Sequence, residues 1–261
     1  MAIAYVDDLR IHYEVAGDAD LPPLVLSNSL GTSLEMWEPQ MPALASRFRV
    51  VRYDSRGHGA SDAPPGPYAI EQLARDVLGL LDRLSIPRAH FCGLSMGGCV
   101  GMWMGIHAPE RLDRLVLANT GAKIGTADLW NARITAAEKG GMASIASGVI
   151  ARWFPQRLLE QPTPMIIRLR ATLETTSMRG YVACCAAVRD MDFRRALPRI
   201  HVPTLVIAGT EDQATPPSGA RFIAEQIPGS RYVELPAGHL SNIQSARAFT
   251  DAVVKFLSGR E

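Results

Sequence analysis

The sequence predicts an α/β fold: a mostly parallel β-sheet with an antiparallel N-terminal edge, helices on both faces and an all-helical insertion. Three observations carry that expectation. Short, nearly continuous apolar runs alternate with stretches whose apolar residues recur at helical spacing, and strands apolar on both sides belong in a sheet covered on both faces. The first segment instead pairs two short runs about Asp7-Asp8, which is an antiparallel edge. Residues 121–190 show several helical patterns and no convincing strand.

The elements follow in order. Ile3–Tyr5 and Leu9–Val15 form the hairpin. Leu24–Ser27 is a buried strand after Pro22-Pro23, and Phe48–Tyr53 is another, closed by a turn at Gly57 and Gly59. From Ile70 to Leu84 the spacing of Leu73, Val77, Leu80, Leu81 and Leu84 predicts a helix, which Pro87 ends. His90–Cys92 is a short strand, a glycine-rich turn follows at once, and Val100–Ile106 continues as an apolar helix closed by Pro109. Leu115–Ala118, Thr204–Ala208 and Arg231–Leu235 are further strands, and Phe249–Leu257 is the last helix. Residues 1–120 and 191–261 are expected to form the core, and residues 121–190 a helical cap over the carboxyl edge of the sheet.

Composition narrows the function. The chain has 261 residues, 47% hydrophobic, which excludes global disorder. Lys plus Arg is 27 and Asp plus Glu is 26, a net charge of +1, so no nucleic-acid partner is expected. No apolar run reaches the roughly 18–20 residues that span a bilayer, so no membrane association is expected. Asp7, Asp8, Arg10 and Glu14 break any signal-peptide core, and the expected location is the cytoplasm. Cys92, Cys99, Cys184 and Cys185 form no C-x-x-C pair and read as reduced, buried hydrophobes. The histidines are scattered with no H-E-x-x-H pattern, so neither a metal nor a cofactor is expected.

The chemistry concentrates at Gly93-Leu94-Ser95-Met96-Gly97-Gly98, a G-x-S-x-G turn between a strand and a helix. A nucleophile on such a corner needs unbulky neighbours two residues away, and Gly93 and Gly97 supply them. The helix that opens there favours negative charge at its N-terminus, which makes the Met96 N–H a donor to a developing oxyanion. A serine hydroxyl needs a base. On this kind of corner the partners follow in the order serine, acid, histidine. His107 lies on the following helix and His201 before a strand. His239, in Pro236-Ala237-Gly238-His239, follows a strand at its carboxyl end. The acid should follow Thr204–Ala208, where Asp212 is the better candidate and Glu211 the runner-up. The second oxyanion donor is expected from the loop Asn28-Ser29-Leu30-Gly31, at the Leu30 N–H. His58 precedes the nucleophile on a different crossover, so Asp54–Ser61 reads as a structural turn.

Together these pieces resemble the α/β-hydrolase superfamily over nearly the whole chain. The matching segments are Asp54-x-Arg56-Gly57-His58-Gly59-x-Ser61, the Gly93–Gly97 elbow, Gly209-Thr210-x-Asp212 and Gly238-His239. More narrowly, Cys92–Gly98, Leu117–Gly125 and Gly180–Asp190 are similar to 3-oxoadipate enol-lactonases of the β-ketoadipate route. Many relatives carry His-Gly in the oxyanion loop; here Asn28-Ser29 precedes Leu30-Gly31, which places Ser29 to touch substrate. The resemblance implies a serine hydrolase that opens 3-oxoadipate enol-lactone without a cofactor, its partner a small lactone bearing a carboxylate. Arg133, Lys123 and Arg189 are candidate carboxylate partners, and Trp130 and Trp153 candidate apolar walls, with Arg133 and Trp153 preferred. A general carboxylesterase or a cofactor-free perhydrolase would share the same catalytic residues. A C–C hydrolase of meta-cleavage products and a non-catalytic ligand-binding protein are the other readings. Ser95 argues against a dehalogenase or an epoxide hydrolase, which need aspartate there.

Overall fold

The computed structural model describes residues 2–259; the first residue and the last two of the expected core lie outside the described residues. Eight strands form one sheet: β1 (Ala2–Val6), β2 (Leu9–Ala16), β3 (Pro23–Ser27), β4 (Arg49–Tyr53), β5 (Ala89–Leu94), β6 (Leu112–Ala118), β7 (Thr204–Gly209) and β8 (Arg231–Leu235). Their spatial order is β1-β2-β4-β3-β5-β6-β7-β8. The β1–β2 and β2–β4 pairs are antiparallel, and every later pair is parallel. The expected mostly parallel sheet with its antiparallel N-terminal edge is therefore the one observed.

Burial explains the strand pattern. Every residue of β5 and β7 is buried, as continuous apolar runs require. The β8 edge is partly exposed and carries Arg231 and Glu234, with Glu234 paired to Arg221; charge on an edge discourages further strand pairing.

The helices α1 (Met41–Leu44), α2 (Ile70–Arg83), α3 (Met96–His107), α8 (Pro217–Gln226), α9 (Ser241–Gln244) and α10 (Ala246–Leu257) accompany the sheet. α4 (Ala127–Trp153), α5 (Gln156–Glu160), α6 (Pro164–Thr175) and α7 (Met178–Asp190) fall between β6 and β7. α2 buries Ile70, Leu73, Ala74, Val77, Leu80 and Leu81 on one stripe, as its spacing predicts. The same face buries Asp76, whose carboxylate takes both Nε and Nη2 of Arg56, the former at 2.6 Å. A buried pair of this kind costs about 3–5 kcal/mol to break from one side, because the remaining charge is left uncompensated. It ties the turn after β4 to α2.

α4 is two helical halves joined at Gly141, whose φ of 71° and ψ of 177° interrupt the helix. The insertion is closed at its base. Phe193 N–H donates to Ala122 O at 2.8 Å, and the Lys123 ammonium donates to Arg189 O and Met191 O at 2.6 and 3.1 Å. Tyr68 N–H reaches Ala183 O, and ion pairs join Arg157 to Glu211 and Arg168 to Glu38, so α5, α6 and α7 are each anchored to the sheet body. The four cysteines are free and buried. Among the described residues no helix is long and apolar enough to cross a membrane.

The order β4-β3-β5 marks where the winding direction reverses. In open α/β sheets the crevice at that reversal, beyond the carboxyl ends of the strands, is where ligands bind. Ser27 of β3 lies opposite Gly93 of β5, and Leu94 opposite Ala118 of β6. The loops after these strands therefore emerge side by side.

Candidate active site

The turn after β5 places Ser95 at φ 58° and ψ −115°. A non-glycine residue there carries about 1–3 kcal/mol of strain that its surroundings must hold. They do so through the backbone: Ser95 N–H donates to Ala118 O at 2.9 Å, Thr120 Oγ1 to Ser95 O at 2.8 Å, and Gly97 N–H to Asn28 O at 3.0 Å. A side chain on Gly93 would fall on the Gly97 carbonyl, and one on Gly97 on the Ser27 carbonyl. The two glycines of the motif are thus required by close backbone approach.

The loop between β8 and α9 carries His239. Its N–H donates to Trp153 O at 2.9 Å, so the last turn of α4 holds the backbone of this loop. Its Nδ1–H donates to Asp212 Oδ2 at 2.9 Å, with Thr215 Oγ1 at 3.3 Å. The other ring nitrogen, Nε2, is left to the pocket that His239 and Ser95 line together. Among the described residues the His239 ring bonds to Asp212 and Thr215 and not to Ser95 Oγ, and a nucleophile–base contact of this kind tightens in the substrate complex.

Asp212 sits in the loop after β7, fully buried. Oδ1 accepts from Ala214 and Thr215 N–H at 2.8 and 2.9 Å, and Oδ2 from Thr215 Oγ1 at 2.7 Å and Asn119 Nδ2 at 3.0 Å. Burial alone would raise its pKa, but the His239 charge and these donors outweigh burial and hold it down to about 2. A carboxylate so held fixes the imidazole with its proton on Nδ1.

Leu30 and Met96 line the same pocket, and neither N–H has a protein acceptor among the described residues. The Ser29 carbonyl accepts from Thr32 N–H at 3.2 Å and Thr32 Oγ1 at 2.8 Å. The peptide between Ser29 and Leu30 is planar and trans, so turning its carbonyl to Thr32 turns the Leu30 N–H the opposite way.

Residues 22–246 match the family model described as alpha/beta hydrolase fold. The chain belongs to the alpha/beta-hydrolase family. Among curated relatives of this alpha/beta hydrolase, 3-oxoadipate enol-lactonase 2 of Acinetobacter baylyi is 44% identical over 246 residues, covering 94% of this chain and 92% of that one. 3-Oxoadipate enol-lactonase 1 of the same organism is 39% identical, covering 90% and 88%. The crystal structure of the enol-lactonase from Burkholderia xenovorans LB400 superposes with a TM-score of 0.97 at 47% identity, covering 98% of this chain and all of that one.

The other residues singled out in this alpha/beta hydrolase divide clearly. Ser29, Trp130, Arg133 and Trp153 line the pocket, and the Arg133 guanidinium lies 4.8 Å from the Trp130 ring centre. Lys123 is not among the residues lining the pocket: its ammonium donates to the carbonyls that end α7. Arg189 pairs instead with Asp190 and Asn131. Glu211 is turned away to Arg157 on α5, which leaves Asp212 as the acid beside His239. His107 stacks on Trp103 and His201 is exposed, so neither competes with His239.

Several residues of the candidate site were missed. Arg152 and Tyr181 line the pocket from α4 and α7. Asn119, after β6, bridges Asp212 and Gly238 O, and Thr215 completes the carboxylate shell. The one sequence signal of Asn119 is its place directly after the apolar run that ends at Ala118; the structure sets that strand between β5 and β7, which lead to Ser95 and Asp212.

Proposed function

We propose that the protein hydrolyses 3-oxoadipate enol-lactone to 3-oxoadipate through an acyl-enzyme on Ser95, with His239 as base and Asp212 as its orienting acid. The observation that carries the reading is the combination in one pocket of Ser95 and His239, with Asp212 behind the imidazole, and two arginines, Arg133 and Arg152, that have no carboxylate partner in the protein among the described residues. A half-buried cation without a counter-ion suits an anionic ligand, and guanidinium matches carboxylate geometry. The substrate named for both Acinetobacter relatives is a lactone that carries a carboxylate.

Ser95 Oγ adds to the lactone carbonyl as its proton passes to His239 Nε2. The oxyanion is met by the Leu30 and Met96 N–H groups. The ring C–O bond then breaks, the departing oxygen takes the proton from His239, and the enol tautomerises to the 3-oxo group. Water, deprotonated by His239, adds to the acyl carbon, and Ser95 leaves with that proton. Asp212 stays ionised throughout and stabilises the imidazolium. Residues 121–190 act as the cap that sets substrate preference, with Arg133 at the carboxylate and Trp130, Trp153 and Ser29 shaping the rest. The partner is thus a small anionic molecule, and the setting is aromatic catabolism.

One assay tests this reading. Wild type is expected to turn over the enol-lactone with kcat/KM well above that for a neutral aryl ester or a meta-cleavage product. Arg133→Ala is expected to raise KM for the lactone about tenfold and leave the neutral ester unchanged, the loss of one charge-assisted hydrogen bond. Preference of wild type for the neutral ester would identify a general esterase instead. Preference for the meta-cleavage product would identify a C–C hydrolase.

A further inference from the structure

The turn after β4 contains a second buried histidine whose contacts run to the oxyanion loop. His58 Nε2 accepts the Gly31 N–H at 2.9 Å, and His58 Nδ1 lies 3.3 Å from Arg56 O. A carbonyl only accepts, so Nδ1 carries the proton and Nε2 the lone pair: the ring is neutral in a single tautomer. A proton added to Nε2 would set two donors face to face. Burial works against that proton and holds the His58 pKa below its ordinary value, opposed by the Arg56 carbonyl and the Asp54 charge. Asp54 is itself bonded to His12, and the Arg56 guanidinium is turned to Asp76. The Cys184 thiol donates to the same Arg56 carbonyl.

Gly31 is the residue after Leu30. Its φ is +83°, and a side chain there would strike Leu173 and Tyr181 of α6 and α7. The loop therefore turns at a left-handed glycine under the helical insertion, where the backbone alone does not fix its direction. Two consecutive peptides set it: the Ser29–Leu30 peptide through Thr32, and the Leu30–Gly31 peptide through His58.

We infer that His58 is a positioning residue for the oxyanion hole: its neutral imidazole clamps the Leu30–Gly31 peptide and thereby aims the Leu30 N–H at the reacting carbonyl. Its effect on lactone turnover rests on the function proposed above, whereas its effect on the reactivity of Ser95 toward a fluorophosphonate does not. Displacing a donor by about 1 Å costs up to about 100-fold.

The test compares His58→Gln, whose side-chain carbonyl reaches as far as Nε2, with His58→Asn, whose shorter side chain cannot reach Gly31, and with His58→Phe, which keeps bulk and removes the acceptor. Lactone kcat and KM, the rate of Ser95 phosphonylation and the thermal midpoint are measured for each. His58→Gln is expected within about threefold of wild type. His58→Asn and His58→Phe are expected to lose about 10–100-fold in kcat and in phosphonylation rate, with KM within about twofold. If His58→Phe fails to fold, the Gln and Asn pair decides. Equal impairment of those two, a wild-type rate for His58→Asn, or a loss confined to KM overturns the assignment. If wild type ignores the lactone while the phosphonylation order holds, the lactonase reading falls and the role of His58 stands.

Discussion

Ser95→Ala is expected to lower kcat by about 10⁴-fold or more while leaving KM and the thermal midpoint close to wild type. The size follows from the proposed role: without Oγ no acyl-enzyme can form, and the proposed oxyanion donors and pocket are left with binding alone. The small effect on stability follows from the structure. Ser95 is buried at 8% exposure, yet its hydroxyl caps nothing in the helix it opens, so its removal orphans no partner. The bonds that hold the elbow run through the backbone of Ser95 and the side chain of Thr120, and alanine keeps both. Steady-state kinetics with a melting curve checks the pair of expectations. A large fall in the thermal midpoint would mean that the hydroxyl has a structural role the geometry does not show.

Asp212→Asn is expected to cost on the order of 10⁴-fold in kcat, and it should destabilise as well. Asp212 accepts from four donors besides His239: two N–H groups, Thr215 Oγ1 and Asn119 Nδ2. An asparagine turns an NH2 group toward one set of those donors. If it faces His239, the imidazole takes the wrong tautomer. If it faces Ala214 and Thr215, two buried N–H groups lose their acceptor. The stability difference depends on pH with a definite sign. The Asp212 pKa is held at about 2, below the ordinary 3.8, so its ionised form stabilises the fold above the ordinary carboxylate range, and that contribution fades as pH falls toward 2. Urea midpoints of wild type and variant should therefore differ most at pH 5–7 and converge in strong acid. A difference that widened on acidification would contradict the burial and bonding described for this carboxylate.

The elements that positioned these residues were legible because their signals are local. The apolar runs of β3, β5 and β7 are continuous, and the elbow glycines lie within two residues of Ser95. His239 and Asp212 were legible by chain order and by their place after a strand. β6 was read as Leu115–Ala118, but it begins at Leu112, because Asp113 and Arg114 continue the strand at half-buried positions with no apolar signal. What escaped the sequence is non-local. Arg152 reaches the pocket only because α4 ends beside the His239 loop, where Trp153 O takes the His239 N–H. His58 lies 27 residues from Gly31, and no spacing rule joins a turn after β4 to the loop after β3. Lys123 shows the converse: a cation near the insertion suggested an anionic ligand, and its ammonium is held by the carbonyls at the end of α7.

The narrower resemblance rests on segments around the insertion, and that is where Arg133 and Arg152 lie, without a carboxylate partner among the described residues. Fold alone would not choose a substrate. Charge in the pocket does more, because a neutral ester offers neither guanidinium group an anionic partner once water is displaced.

The central claim is that the imidazole of His239 activates the hydroxyl of Ser95 for covalent chemistry. Its most direct measurement is the site and rate of fluorophosphonate labelling, read by mass spectrometry on wild type and His239→Ala alongside lactone turnover. One label per chain on the peptide bearing Ser95, loss of turnover in step with labelling, and a collapse of the labelling rate in His239→Ala are the expected results. Full labelling of Ser95 with turnover retained, or equal labelling rates with and without His239, would contradict it.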